Sequence, residues 1–229
     1  FSPEKNSMPE DFVFITLGTG VGGAAIIDRK IFLGGDGNAM EPGHVPSKNG
    51  KVLERNVGKK ELLQLATEMR ANYTGQTVLA SDGTISTTAL VVAAEEGDAL
   101  ALAIWDEVGI LLGDMLVSLI RILDIKNIFI GGGLSASFDF IIPSMERQLN
   151  YWLTPAYLEK LNIKKSDGFN CAIRVRKYIK PQYHHDIIWL IWDVIFQEAS
   201  IRGNDELNKQ LIRSIVNTQN PKLFCEEIL

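Results

Sequence analysis

The segment FVFITLGTGVGGAAIIDRKIF, residues 12 to 32, restricts the fold more than any other part of the chain. Residues Phe12 to Leu17 are rich in β-formers and run into Gly18-x-Gly20-x-x-Gly23. The glycines are followed by Ala24-Ala25-Ile26-Ile27 and an Asp28-Arg29-Lys30 turn. Apolar β-formers bounded by turn residues predict strands, so the unit reads as a hairpin ribbon. A dinucleotide fingerprint has the same glycine spacing, but its glycines must open a helix whose N-terminus meets the pyrophosphate. It also needs an acidic residue about 20 positions further on, at the end of the next strand. No helical period follows here, and Asp36 and Glu41 lie in a Gly-rich loop, so the residues argue against that fingerprint. Two readings remain. In one, Gly18 and Gly20 leave backbone N–H groups free to approach phosphate oxygens and the Thr19 hydroxyl adds a donor. In the other, the turn is a Gly-rich hairpin that holds nothing.

The rest of the chain alternates helix and strand signals without internal repeats. Gly34 to Gly58 is Gly-rich and polar with no apolar period of its own, the mark of a functional loop. Residues 59 to 73 carry apolar side chains at 62, 63, 65, 66 and 69 and predict a helix. Ser86 is placed to cap a helix ending near Gly97, and Asp98 to cap another that runs to about Leu123, interrupted by Gly109 and Gly113. NIFIGGG, residues 127 to 133, reads as a short buried strand entering three glycines, and Pro143 to Leu153 reads as helix. By itself the second glycine run is as consistent with an ordinary strand-to-helix turn as with a ligand site.

Composition narrows the function classes. With 229 residues, 46% of them hydrophobic, the chain can bury one large or two small cores. A net charge of −5 and the lack of a basic stripe argue against general nucleic-acid affinity, which needs clustered Lys and Arg to displace counterions. The two cysteines, Cys171 and Cys225, are too few and too far apart for a disulfide framework, so a reducing cytoplasmic setting is expected. The densest apolar run, Ile187 to Phe196, is interrupted by Asp193 and is about half the length of a membrane span. The chain begins at Phe1 rather than at a methionine, from which we expect a piece of a longer product.

ITLGTGVGGAAIIDRKIFLGGDGNAMEPGHVP, followed by VLE and later by NIFIGGGLS, resembles the ROK family of bacterial sugar kinases and sugar-responsive repressors, its glucokinase branch in particular. The resemblance runs from about residue 11 to about 173. It implies an α/β chain of the actin-like ATPase (ribonuclease H-like) fold, mainly the second of two lobes, over residues 1–175, with a divergent helical tail over 176–229. In such kinases ATP and sugar occupy the cleft between the lobes. By similarity Gly18, Thr19 and Gly20 would contact the β- and γ-phosphates, and Gly131, Gly132 and Gly133 would lie beside the adenosine. Glu41 and His44 in EPGH, and Glu54 in VLE, fall where the family hydrogen-bonds sugar hydroxyls. Carboxylates accept from paired hydroxyls and a neutral imidazole can donate and accept, which suits that role. A lone loop histidine is more often a surface residue or a local hydrogen-bonder than a ligand, and His184 and His185, which have no neighbouring motif, are expected to be structural or exposed. The reaction implied is in-line transfer of the ATP γ-phosphoryl to a hexose hydroxyl with Mg²⁺. A homodimer is expected on the resemblance alone.

The departures matter as well. Many family members carry a Cys-rich zinc loop between this histidine and the later glutamate. Here the interval VPSKNGKV has no cysteine, so we expect no zinc and a shortened loop held by hydrogen bonding and packing. The family's Asp-Gly-Thr-type turn and its Asn-Asp pair, whose Asp is the catalytic base, would lie upstream of Phe1. No catalytic residue is therefore assigned within the chain, and the lobe's activity by itself is left open. Asp11 lacks the preceding Asn and helix and is not promoted to that role. Beyond CAIRV the usual ending is replaced; of 20 glycines only Gly203 lies past residue 170, consistent with a diverged tail or a changed reading frame. A second reading is a sugar-sensing ROK-type regulator whose DNA-binding part lies outside the chain; the intact LGTG turn favours the kinase. The sugar itself is not legible.

Overall fold

Phe12–Leu17 forms β1, with all six residues buried. It pairs antiparallel with β2 (Val21–Ile27), and β2 pairs with a two-residue β3 (Lys30–Ile31), so the ribbon expected from the sequence is present. Its far turn has Asp28 and Arg29 at φ 51° and 58°, the left-handed pair of a tight hairpin. The Asp11 carboxylate accepts from the Asp28 N–H at 2.7 Å and steadies that turn. The computed structural model describes residues 9–81 and 84–166. The expected tail over 176–229, with Ile187 to Phe196, His184 and His185, and the two cysteines, lies outside the described residues.

Among the described residues five strands make one mixed sheet in the order β3-β2-β1-β4-β5. The central strand β1 runs parallel to β4 (Asn127–Gly131), which runs parallel to β5 (Asn162–Lys165). The crossover from β2 and β3 to β4 carries α1 (Glu54–Val57), α2 (Lys59–Asn72), α3 (Thr87–Glu95) and α4 (Ala99–Leu123), and the next carries α5 (Phe138–Trp152) and α6 (Pro155–Leu158). Because β1 and β4 are parallel, both deliver their C-terminal ends, with the two glycine runs, to one edge of the sheet. One face of the sheet, through Val13, Ile15, Leu17, Ala25, Ile128 and Ile130, packs with the buried stripe of α4 in a single core. Ile104, Trp105, Leu112, Leu116 and Ile120 of α4 are at most 1% exposed, and each such side chain contributes about 1.5–3 kcal/mol through burial.

Gly109 and Gly113 do not interrupt α4, contrary to the sequence expectation; the helix is continuous for 25 residues. Their role is close packing. A β-carbon on Gly109 would stand 2.0 Å from Ser144 Oγ and 2.4 Å from the Ile141 carbonyl, and one on Gly113 would stand 2.7 Å from Gln148 Cβ. The loss of helix propensity, about 1 kcal/mol per glycine, is offset by bringing α5 onto the backbone of α4. The α3 and α4 starts follow the expected capping: Ser86 Oγ accepts from Ala89 N–H at 3.0 Å, and Asp98 Oδ1 from Ala101 N–H at 2.9 Å. The helix expected from Pro143 begins earlier, at Phe138, and contains the proline. No helix among the described residues is long and apolar enough to cross a membrane.

Candidate functional site

Gly18, Thr19 and Gly20 turn the chain from β1 into β2, beyond the closing pair Leu17 and Val21. The Gly18 N–H donates to the Gly20 carbonyl at 3.0 Å, and the Gly18 carbonyl accepts from the Lys59 N–H at 3.0 Å, so the start of α2 anchors the turn. Gly132 lies against the end of the same strand. Its φ of 92° is strained for any side chain, and a β-carbon there would stand 2.4 Å from the Leu17 carbonyl oxygen. The two glycine runs, more than a hundred positions apart in the chain, are thus neighbours because Thr16 pairs with Gly131 across the parallel ladder.

Beside them opens a cleft of about 360 Å³. Gly18, Thr19 and Lys59 line one part of it, and Gly133, Leu134, Ala136 and Ser137 another. Thr87, Thr88 and Val91 of α3 and Trp105 of α4 complete it. The Trp105 ring is buried, with its N–H donating to the Leu90 carbonyl at 3.3 Å. Of the six residues expected around a nucleotide, Gly18, Thr19 and Gly133 therefore line the cleft. Gly20 faces Glu54, while Gly131 and Gly132 pack against β1, where a β-carbon would meet Phe14 or Leu17.

Glu41, His44 and Glu54 come together on the other side of the turn. A 3₁₀ turn, Pro42–His44, lets His44 N–H donate to the Glu41 carbonyl at 3.1 Å. It brings His44 Nδ1 to 3.2 Å from Glu41 Oε2, and His44 Nε2 lies 3.7 Å from Glu54 Oε1, so the imidazole sits between two carboxylates. Glu41 and His44 are exposed, whereas the Glu54 side chain is only 25% exposed. Three groups that accept, and one that can also donate, face solvent together, a set suited to vicinal hydroxyls.

The segment between His44 and Glu54 is a closed hairpin. Leu53 N–H donates to the Val45 carbonyl at 3.0 Å, and Ser47 N–H to the Lys51 carbonyl at 2.7 Å. The Asn56 side-chain amide donates to the Lys48 carbonyl at 3.0 Å, and the Lys48 ammonium is bonded to the Glu107 carboxylate on α4. His44 and Glu54 are the two feet of this hairpin, so its closure sets their separation.

Asp11 is remote from all of this. It precedes β1 and bonds the Asp28 turn, whereas the cleft lies past the strand's other end, a six-residue span of about 20 Å. Sequence reasoning missed Lys59, the α3 threonines, Val91 and Trp105. The helical periods of α2, α3 and α4 were readable, but not which turn of each would face the glycines.

The ROK family model matches residues 3–170. A glucokinase from Halalkalibacterium halodurans is 30% identical over 159 residues, a match covering 64% of this chain and 48% of that protein. The DNA-binding transcriptional dual regulator NagC of Escherichia coli is 25% identical over 167 residues, covering 69% of this chain and 41% of NagC. Among solved structures, a ROK family glucokinase from Streptomyces griseus, determined with glucose and AMPPNP, superimposes with a TM-score of 0.57 at 27% identity. That match covers 69% of this chain and 56% of the other. The mixed sheet and its helices have the actin-like ATPase fold of such neighbours. The chain spans about half the length of the curated relatives it matches.

Proposed function

The chain belongs to the ROK family, and from that membership we propose that it forms the nucleotide-binding lobe and part of the sugar site of an ATP:hexose phosphotransferase of glucokinase type. The observation that carries this reading is the junction at one turn: Gly18 and Thr19 line the cleft, while Gly20 abuts Glu54 of the exposed Glu41, His44 and Glu54 set. Phosphoryl transfer between two bound substrates depends chiefly on positioning and on stabilising charge. A shared turn fixes the phosphate end of one substrate relative to the hydroxyls of the other. The cleft's volume of about 360 Å³ and the hydroxyls of Thr19, Thr87 and Thr88 along it support a nucleotide. The glycine backbone at Gly132 packs where a side chain would collide with β1.

Among the described residues no three His, Cys, Asp or Glu side chains are grouped to hold a metal ion. Mg²⁺ would be held mainly by substrate phosphates and water, where it would neutralise their charge. Glu41, His44 and Glu54 would accept from and orient the hexose. The base for its attacking hydroxyl is proposed to come from the part of such a kinase that this chain does not span, and the site's cytoplasmic setting is part of the same reading.

The test is ADP release by the full-length gene product on addition of hexoses. Hexose-dependent turnover supports the kinase. Hexose binding without any turnover supports the second reading, a sugar-sensing regulator, which the similarity to NagC keeps in view. An open cleft beside an intact phosphate-type turn favours the kinase, because a sugar sensor has no need of it.

A further inference from the structure

Of the described residues that line the cleft, Lys59 alone carries a charge. Its backbone is fixed against the turn on two sides. Its own N–H donates to the Gly18 carbonyl at 3.0 Å. The preceding Gly58 packs so closely that a β-carbon there would stand 2.7 Å from the Thr19 carbonyl and 2.6 Å from the Glu54 carbonyl. Nearby, Lys48 is paired with Glu107 on α4 and Arg55 with Glu61 at 3.3 Å, while Lys51 and Lys60, exposed and without such a partner among the described residues, do not line the cleft. The exposed Lys59 ammonium has no hydrogen bond, ion pair or ring contact among the described residues, so its charge is uncompensated on a chain of net charge −5.

We propose that Lys59 is the cation that holds the nucleotide's phosphate chain against the Gly18 to Gly20 turn. This rests on the nucleotide reading above and adds a residue to it. Contrary to the sequence expectation, the Gly18 N–H is taken by the Gly20 carbonyl, which leaves the turn the Thr19 and Gly20 N–H groups and one hydroxyl, groups that orient phosphate oxygens but do not neutralise them. A lysine ammonium is a compact point charge on a flexible stem, able to follow the phosphates as they are engaged. Gly58 serves as the strut, since it sets Lys59 five residues after Glu54 and couples the phosphate end of the cleft to the sugar carboxylate.

The experiment measures binding of ATP and of adenosine, by titration calorimetry at low and moderate salt, to the full-length gene product and its Lys59→Met and Lys59→Arg variants. Lys59→Met is expected to weaken ATP about tenfold and adenosine less than twofold, a charge-assisted contact being lost. Its ATP affinity should also depend less on salt, and Lys59→Arg should recover most of the loss. A thermal midpoint within a few degrees of the wild type shows that the variant is folded, as expected for an exposed side chain. ATP affinity of Lys59→Met within twofold of a wild type that does bind ATP overturns the role of Lys59 while leaving the nucleotide reading standing. A wild type that binds neither ligand overturns both.

Discussion

Gly20 lies against the Glu54 carboxylate: a β-carbon at position 20 would stand 2.6 Å from Glu54 Oε2. The contact joins the two halves of the candidate site, because Gly20 belongs to the turn at the cleft and Glu54 to the group proposed to face the hexose. Gly20→Ala would push the end of a flexible side chain rather than backbone, so the thermal midpoint is expected to fall little. Hexose half-saturation should instead rise and kcat/KM drop, on the order of a hundredfold for a displacement of about 1 Å. Steady-state kinetics beside a melting curve separate the two. Unchanged hexose kinetics would mean that Glu54 does not meet the sugar.

The hairpin from Val45 to Leu53 sets the distance between His44 and Glu54, and Lys48 ties its tip to Glu107. The Lys48 side chain is half exposed, so Lys48→Met should change stability by less than about 1 kcal/mol. It should nevertheless weaken hexose several-fold and leave adenosine binding unaltered. Equal losses for both ligands would point to a general structural effect.

Gly109→Ala tests the packing of α5 on α4. The added methyl meets Ser144 Oγ and the Ile141 carbonyl, and a backbone carbonyl cannot swing aside. Overpacking of this kind costs about 1–3 kcal/mol, against a gain in helix propensity of under about 1 kcal/mol. Chemical denaturation should show a net loss of stability; a gain would mean that the helices are not in such close contact.

Asp98 caps α4 and also accepts from the Val78 N–H at 2.8 Å. Burial by itself would raise its pKa, but hydrogen bonds from the Ala101 and Val78 N–H groups, the Thr77 hydroxyl and the Leu100 N–H together hold it below the ordinary carboxylate value. A depressed folded pKa stabilises the fold above the unfolded value of about 4, and that contribution is lost as pH falls through the folded value. Asp98→Ala is expected to lose about 1 kcal/mol at neutral pH. The gap to the wild type should close as pH drops below about 4 in thermal melts; a gap independent of pH would contradict it.

Much of this was legible in the sequence because it is local. The strand from Phe12 to Leu17, the strand after the glycines, and the caps at Ser86 and Asp98 each follow from short-range chemistry that the fold does not override. The loop between Gly34 and Gly58 announced itself by lacking a period, although α1 within it did not. The misreading of Gly109 and Gly113 as interruptions has a clear cause: propensity sees only the helix that bears a glycine, not the partner helix that needs the room. Lys59 and Trp105 stayed hidden for a related reason, since their place at the cleft comes from tertiary packing around the parallel β1 and β4 pair. Glu41, His44 and Glu54 were picked out by family resemblance, and their proximity comes from the 3₁₀ turn and the hairpin, neither of which has a strong sequence signal.

The most direct measurement follows the γ-phosphoryl group itself. Phosphorus NMR of the full-length gene product with ATP, Mg²⁺ and a panel of hexoses should show a sugar phosphomonoester growing as the ATP γ-resonance declines, with at least one hexose. Loss should be strong in Gly20→Ala. Hexose binding with no phosphomonoester from any member of the panel would contradict the account.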